Sequence, residues 1–90
     1  MKPVSFNSCF KDNLYSYLEY RSATFAWNTY RLDCYRLASF DRFLTKMSFN
    51  KETVPLTIIN QWLTDTGVPD ASVNGYLKTI CSFMKYRANI

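Results

Sequence analysis

Between Asp70 and Ala88 the chain reads DASVNGYLKTICSFMKYRA, and its apolar residues keep one spacing. Val73, Leu77, Ile80 and Met84 recur at steps of four, three and four, one face of an amphipathic α-helix. A second row, Asn74, Lys78 and Lys85 with Ser82 near it, runs beside the first. The stretch therefore reads as a helix that packs on one side and turns a basic side toward something acidic. Asp70 or Ser72 supplies its N-cap, and Asp70 also places a negative charge at the positive helix end. Gly75 sits inside it at a cost of about 1 kcal/mol relative to alanine. Two uses fit that cost: close approach by another helix, or by a phosphate backbone.

The same period runs through the rest of the chain. Phe10, Leu14, Tyr17 and Leu18 line one face of a first helix that should begin near Asn7 or Ser8, with Lys11, Asp12, Glu19 and Arg21 mostly off that face. The pattern fades at Ser22-Ala23-Thr24, and Phe25 and Trp27 fall in a short connection. Trp27 is expected to anchor that connection on the core; stacking against DNA or a partner is the alternative. Asn28 suits the N-cap of a second helix running to about Met47. Its buried row would be Tyr30, Leu37, Phe40, Leu44 and Met47, flanked by Cys34 and Phe43. The opposite side collects Arg31, Tyr35, Arg42 and Lys46, a basic stripe with an aromatic inside it; such a stripe is often only a solvated face. Asp33 and Asp41 lie nearer the apolar side, where they could support Arg36 or a helix end.

Ser48–Val54 reads as a loop. Pro55 disfavours helix at Val54, so a third helix starts after it, with Pro55 at its first position or just before. Leu56, Ile59 and Leu63 form its short apolar row, joined by Ile58 and by Trp62, expected in the core. Gly67 suits the position after the helix, and Pro69 prevents continuation. No segment has the signature of a strand, and no repeat or low-complexity segment is visible.

Ninety residues make one small domain with a modest core, helped by seven Phe, seven Tyr and two Trp. Only two Gly and three Pro favour long helices over many tight turns. The net charge of +4 is segregated: residues 71–90 hold Lys78, Lys85 and Arg87 and no acid, whereas residues 49–70 hold Lys51 against Glu52, Asp65 and Asp70. Such segregation is found in nucleic-acid binders and also in plain solvated helices. Cys9, Cys34 and Cys81 are odd in number and lack metal-ligand spacing; Cys34 and Cys81 flank apolar rows, as reduced core or core-edge thiols would, which fits a reducing, cytoplasmic setting. No apolar run is long enough for a membrane span, and Met1-Lys2-Pro3 opens no signal peptide.

Chemistry is missing from the pattern. Without histidine there is no Ser-His or Cys-His pair, the two glycines make no phosphate loop, and the carboxylates are scattered. The chain is therefore expected to be no enzyme and to need no cofactor and no metal.

Two stretches carry a resemblance. Asn28–Leu44, NTYRLDCYRLASFDRFL, resembles the "T-Y-r-x-D … F-x-x-F-L" helix of phage-integrase N-terminal, SAM-like domains, and Ala71–Tyr86, ASVNGYLKTICSFMKY, resembles their last helix. The intervening VPLTIINQWLTDTG looks like the family's short third helix, so the match spans about residues 10–88. Gly75 departs from it, since many relatives carry a larger polar or basic residue there. The resemblance implies an all-α, four-helix orthogonal bundle: residues 1–90 as one core-binding domain of a tyrosine recombinase, forming half of a C-shaped clamp on double-stranded DNA. It implies a catalytic domain elsewhere in a longer protein, recombinase protomers as partners on DNA, and no catalytic residue in this chain. The DNA-contacting candidates are Asn28, Thr29, Arg31, Arg42 and Lys46 on the second helix and Asn74, Lys78, Ser82 and Lys85 on the fourth. On this reading Arg31, Arg42, Lys46, Lys78 and Lys85 should form one continuous positive surface. A helical protein-interaction module without nucleic acid is the alternative.

Overall fold

The computed structural model describes residues 5–24 and 26–88. Four helices follow one another: α1 (Lys11–Thr24), α2 (Trp27–Lys46), α3 (Leu56–Thr66) and α4 (Asp70–Ala88), with no strand among the described residues. The globule measures 32 × 29 × 26 Å, with a radius of gyration of 12.4 Å. A compact chain of this length should have about 12 Å. The longest helix, α2, is the hub: it packs against α1, α4 and α3, and α1 packs on α4.

Aromatic rings fill the core. Phe10, Tyr17 and Phe83 meet edge to face, joining the start of the chain to α4. Leu14, Leu37, Phe40 and Leu44 are wholly buried between α1 and α2. Trp62 pins α3 to the hub: it is also wholly buried, its ring meets Phe40 at 5.0 Å, and its Nε1–H donates to Ser39 Oγ at 3.1 Å.

Several expectations change. The first helix begins at Lys11, not near Asn7 or Ser8; ahead of it the backbone N–H groups of Asn7 and Ser8 donate to the buried Asp41 carboxylate at 2.9–3.1 Å. That carboxylate binds the incoming chain to α2 instead of supporting Arg36. Ala26, not Asn28, is the N-cap residue of α2, and it makes no side-chain cap. Trp27 is the first residue of α2 and is 56 % exposed, so it is not buried in the core; among the described residues its ring meets Tyr30, at 5.9 Å. Phe25 lies outside the described residues. Met47 and Leu56, expected in apolar rows, end up exposed at helix ends. Cys34 is buried, whereas Cys81 is exposed, as is Cys9; all three are free thiols.

The fourth helix turns further than its aliphatic spacing suggests. Ile80 is buried as expected, but its fully buried companions are Thr79 and Phe83, while Val73, Leu77 and Met84 are only half-buried. Rings decide the orientation: Phe83 enters the aromatic cluster with Phe10 and Tyr17, and Tyr86 packs on Tyr17 and Tyr20. Each buried ring removes more apolar surface from water than Val73 or Leu77 could. Asp70 opens the helix from within its first turn, and Ser72 N–H donates to Pro69 O at 2.8 Å, so neither residue stands before the helix as a cap.

Helices α2 and α3 end in the same way. Val68 N–H donates to Leu63 O and Gly67 N–H to Thr64 O; Phe49 N–H donates to Leu44 O and Ser48 N–H to Thr45 O. This is the Schellman pattern, whose pivotal residue adopts a left-handed conformation. Gly67 holds it with φ 72° and Ser48 with φ 56°. A side chain there costs about 1 kcal/mol. Ser48→Gly should therefore raise stability by about 0.5–1 kcal/mol and Gly67→Ala lower it by about 1 kcal/mol in urea unfolding. An unchanged midpoint for both would contradict this account of the helix ends.

Burial also gives the fold a pH limit. It pushes the Cys34 thiol and the Tyr17 and Tyr76 hydroxyls above their ordinary values, and Tyr30 rises chiefly through its hydrogen bond to Cys34. The unfolded chain then loses these protons first, so ionisation favours unfolding. Stability should be full below about pH 8, begin to fall near pH 9 as the unfolded Cys34 ionises, and fall further past about pH 10 as the tyrosines follow. Urea midpoints at pH 8 and pH 10.5 test this, and a midpoint that holds or rises would refute it.

Candidate nucleic-acid interface

The residues Asn74, Lys78, Ser82 and Lys85 are all exposed on α4. At about 100° per residue they span less than a quarter of the helix circumference. Arg87, the third cation of this segment, belongs elsewhere: its guanidinium lies 4.1 Å from the centre of the Phe10 ring and donates to Glu52 O at 2.9 Å. It fastens the α3-side loop to the core and leaves Lys78 and Lys85 as the cations of the outward face.

Gly75 is explained by α2. A β-carbon there would lie 2.8 Å from Arg36 Nη2. The absence of that carbon lets the guanidinium rest on α4, where Nη1 donates to Gly75 O at 3.1 Å and to Thr79 Oγ1 at 3.2 Å, with the cation 5.1 Å from the Tyr76 ring centre. The close approach is thus by a neighbouring helix, through a side chain. Beside it, Arg21 Nε donates to Asp33 Oδ2 at 2.6 Å, and the Thr79 hydroxyl stands 3.5 Å from Asp33 Oδ1. Asp33 supports Arg21 of α1, not Arg36. One polar network thereby ties three helices together.

Above this network lies a cleft of about 250 Å³ lined by Arg21, Thr29, Asp33, Arg36, Gly75, Lys78, Thr79 and Ser82. It brings three of the nine candidate residues together: Thr29 from α2, and Lys78 and Ser82 from α4. Asn74 and Lys85 share the α4 face with Lys78 and Ser82 but do not line the cleft, and the remaining four lie elsewhere on α2. Lys46 faces α3, 3.7 Å from Asp65, in an exposed pair. Such pairs contribute little. Asn28, Arg31 and Arg42 are exposed on the outer side of α2, with Arg31 and Arg42 about 160–180° around the helix from Asp33. Tyr35, in that outer stripe, comes beside Tyr76, which is about 160° around α4 from Lys78. The stripe of α2 and the row of α4 thus flank opposite sides of the α2–α4 junction, and the five cations expected on one surface divide between two.

Arg21 and Arg36 were the cleft residues that periodicity did not single out as binding groups. A signal for them exists: Thr29, Asp33 and Arg36 recur at steps of four and three, a polar row on the side of α2 that faces its neighbours.

Among the described residues no group of three or more Cys, Asp or Glu is placed to hold a metal ion, and no helix is long and apolar enough to cross a membrane. The fold and site together define a four-helix, all-α globule with a cationic face on its last helix. Comparison with protein-family models, with curated proteins and with solved structures finds no match to this chain.

Proposed function

We propose that this chain is a duplex-DNA-binding module whose principal contact surface is the outward face of α4. The observation that carries the reading is that Asn74, Lys78, Ser82 and Lys85 are all exposed on one face of a helix segment with no acidic residue after Asp70. Lysines in such a row neutralise phosphates, and the short polar side chains between them fix register or reach base edges. In its finer form the proposal is the one the resemblance implies: a SAM-like core-binding domain of a tyrosine recombinase, arranged as an orthogonal bundle, with the catalytic residues in another domain and that domain and further protomers as partners. The order of four helices with the basic one last supports this form. The division of cations shifts its weight, because α4 then carries the main contact and the stripe of α2 a separate one. The chain itself has no catalytic part in this scheme.

Anisotropy of a labelled duplex tests it. The expected dissociation constant is on the order of 10⁻⁴–10⁻⁶ M, weakening steeply between about 50 and 200 mM salt. Lys78→Glu should weaken binding at least about tenfold with an unchanged thermal midpoint, since a lost phosphate contact is joined by like-charge repulsion. Absence of binding at low salt would sink the proposal.

One observation favours a second reading, a protein-interaction module. Trp27, Leu32 and Tyr35 are at least half exposed on α2, near Arg31. Trp, Tyr and Arg are the residues in which interface energy concentrates. If Trp27→Ala and Tyr35→Ala abolish self-association or partner capture while Lys78→Glu does nothing to DNA binding, this reading replaces the first.

A further inference from the structure

We propose that the cleft between α1, α2 and α4 is a phosphate site, in which the Lys78 ammonium and the Thr29 and Ser82 hydroxyls take the oxygens of one phosphate group above Arg21 and Arg36. The proposal deepens the DNA-binding reading and rests on it for the source of the phosphate, a backbone phosphodiester.

Charge is the first argument. Three cations, Arg21, Arg36 and Lys78, line the cleft against a single carboxylate, Asp33. That carboxylate is already committed to Arg21 at 2.6 Å. Lys78 makes no hydrogen bond or ion pair among the described residues, so its charge is available to a ligand. Arg36 spends Nη1 on Gly75 and Thr79, which fixes the guanidinium in place. A fixed cation binds an anion without losing side-chain freedom at that moment.

Donors of the right kind are the second argument. Phosphate accepts hydrogen bonds from hydroxyls as well as from cations, and bonds to a charged acceptor are about twice as strong as neutral ones. Thr29 and Ser82 place hydroxyl groups from two helices at the same cleft. Behind them lies the Tyr17 hydroxyl, on a side chain only 2 % exposed, with the Ser82 hydroxyl as its facing hydrogen-bonding group. Its electrostatic neighbours include Arg21 and Asp33, two residues of the cleft wall. The Ser82 oxygen can accept from Tyr17 while its own O–H donates to an oxyanion in the cleft.

The experiment uses the whole chain, a labelled DNA duplex and, separately, inorganic phosphate against chloride at equal ionic strength. Lys78→Gln should lower the slope of log affinity against log salt by about 0.9, one phosphate contact. The double variant Thr29→Val with Ser82→Ala should weaken DNA binding about three- to tenfold without changing the slope, because it removes donors and no charge. Lys11→Gln, at the far end of α1, removes a charge outside the cleft and controls for net charge. If the duplex binds but both cleft variants behave like Lys11→Gln, the cleft proposal is overturned and the DNA reading stands. If the duplex does not bind but phosphate shifts the amide signals of Thr29, Lys78 and Ser82, the DNA reading falls and the cleft is a site for free phosphate or a phosphomonoester. If neither ligand binds, both fall.

Discussion

Trp62→Ala should lower the stability of the domain by about 3–5 kcal/mol, the largest effect expected of any single substitution in α3. A chain of 90 residues has about 5–13 kcal/mol in all, so about a quarter or more is lost. The reason lies in how α3 is attached. Leu56 is exposed, and Ile58 and Ile59 are half-buried, which leaves Trp62 and Leu63 as the buried residues of the helix. Trp62 touches Phe40 of α2 and Tyr76 of α4, with ring centres 5.0 and 5.6 Å away, and its indole N–H satisfies Ser39. Removing it leaves a cavity at the meeting of three helices and a buried serine without its donor. A fall of the thermal midpoint on the order of 15–30 °C follows. Trp62→Phe, which keeps most of the ring but loses the N–H, should cost about 1–2 kcal/mol. A midpoint for Trp62→Ala within a few degrees of the parent would mean that α3 is held by something else.

Asp33→Ala should cost about 3 kcal/mol, although it removes a residue that a surface reading of the sequence would treat as expendable. Asp33 is 4 % exposed and holds Arg21, whose side chain is 15 % exposed. Removing one partner leaves the other as a charge with little access to water, which is the costly case. Thr79 and through it Arg36 are adjacent, so the loss extends to the contact of α2 with α4. Replacing both members, Arg21→Met with Asp33→Leu, should cost less than Asp33→Ala alone, because no unpaired charge remains. Urea unfolding of the three variants decides it. A single variant within about 0.5 kcal/mol of the parent would show that Arg21 finds water or another acceptor when Asp33 is gone.

These two cases mark what periodicity could and could not reveal. Helix count, order and approximate ends were legible, because Gly67, Pro55 and the three-and-four spacing of Leu14, Leu37 and Leu44 act locally. The burial of Trp62 was legible for the same reason. Asp33 and Asp41 were not, since a carboxylate's partners, Arg21 and the N–H groups of Asn7 and Ser8, lie on other elements of the chain. The rotation of α4 was hidden too: Val73 and Leu77 match the helical period as well as Thr79 and Phe83 do, and only the ring cluster contributed by α1 and the segment before it decides between them. At the candidate site, the outward placement of Asn74, Lys78, Ser82 and Lys85 was visible in the sequence. The meeting of Lys78 and Ser82 with Thr29 over a floor of Arg21 and Arg36 depends on how three helices pack, and spacing along one helix does not carry that information.

The most direct measurement is a backbone-amide NMR titration of the chain with a short DNA duplex at low and physiological salt. The account predicts shifts concentrated at Asn74, Lys78, Ser82, Lys85 and Thr29, in fast exchange, shrinking as salt rises. Shifts confined to the outer stripe of α2 around Trp27, Arg31 and Tyr35, or no shifts at low salt, would contradict it.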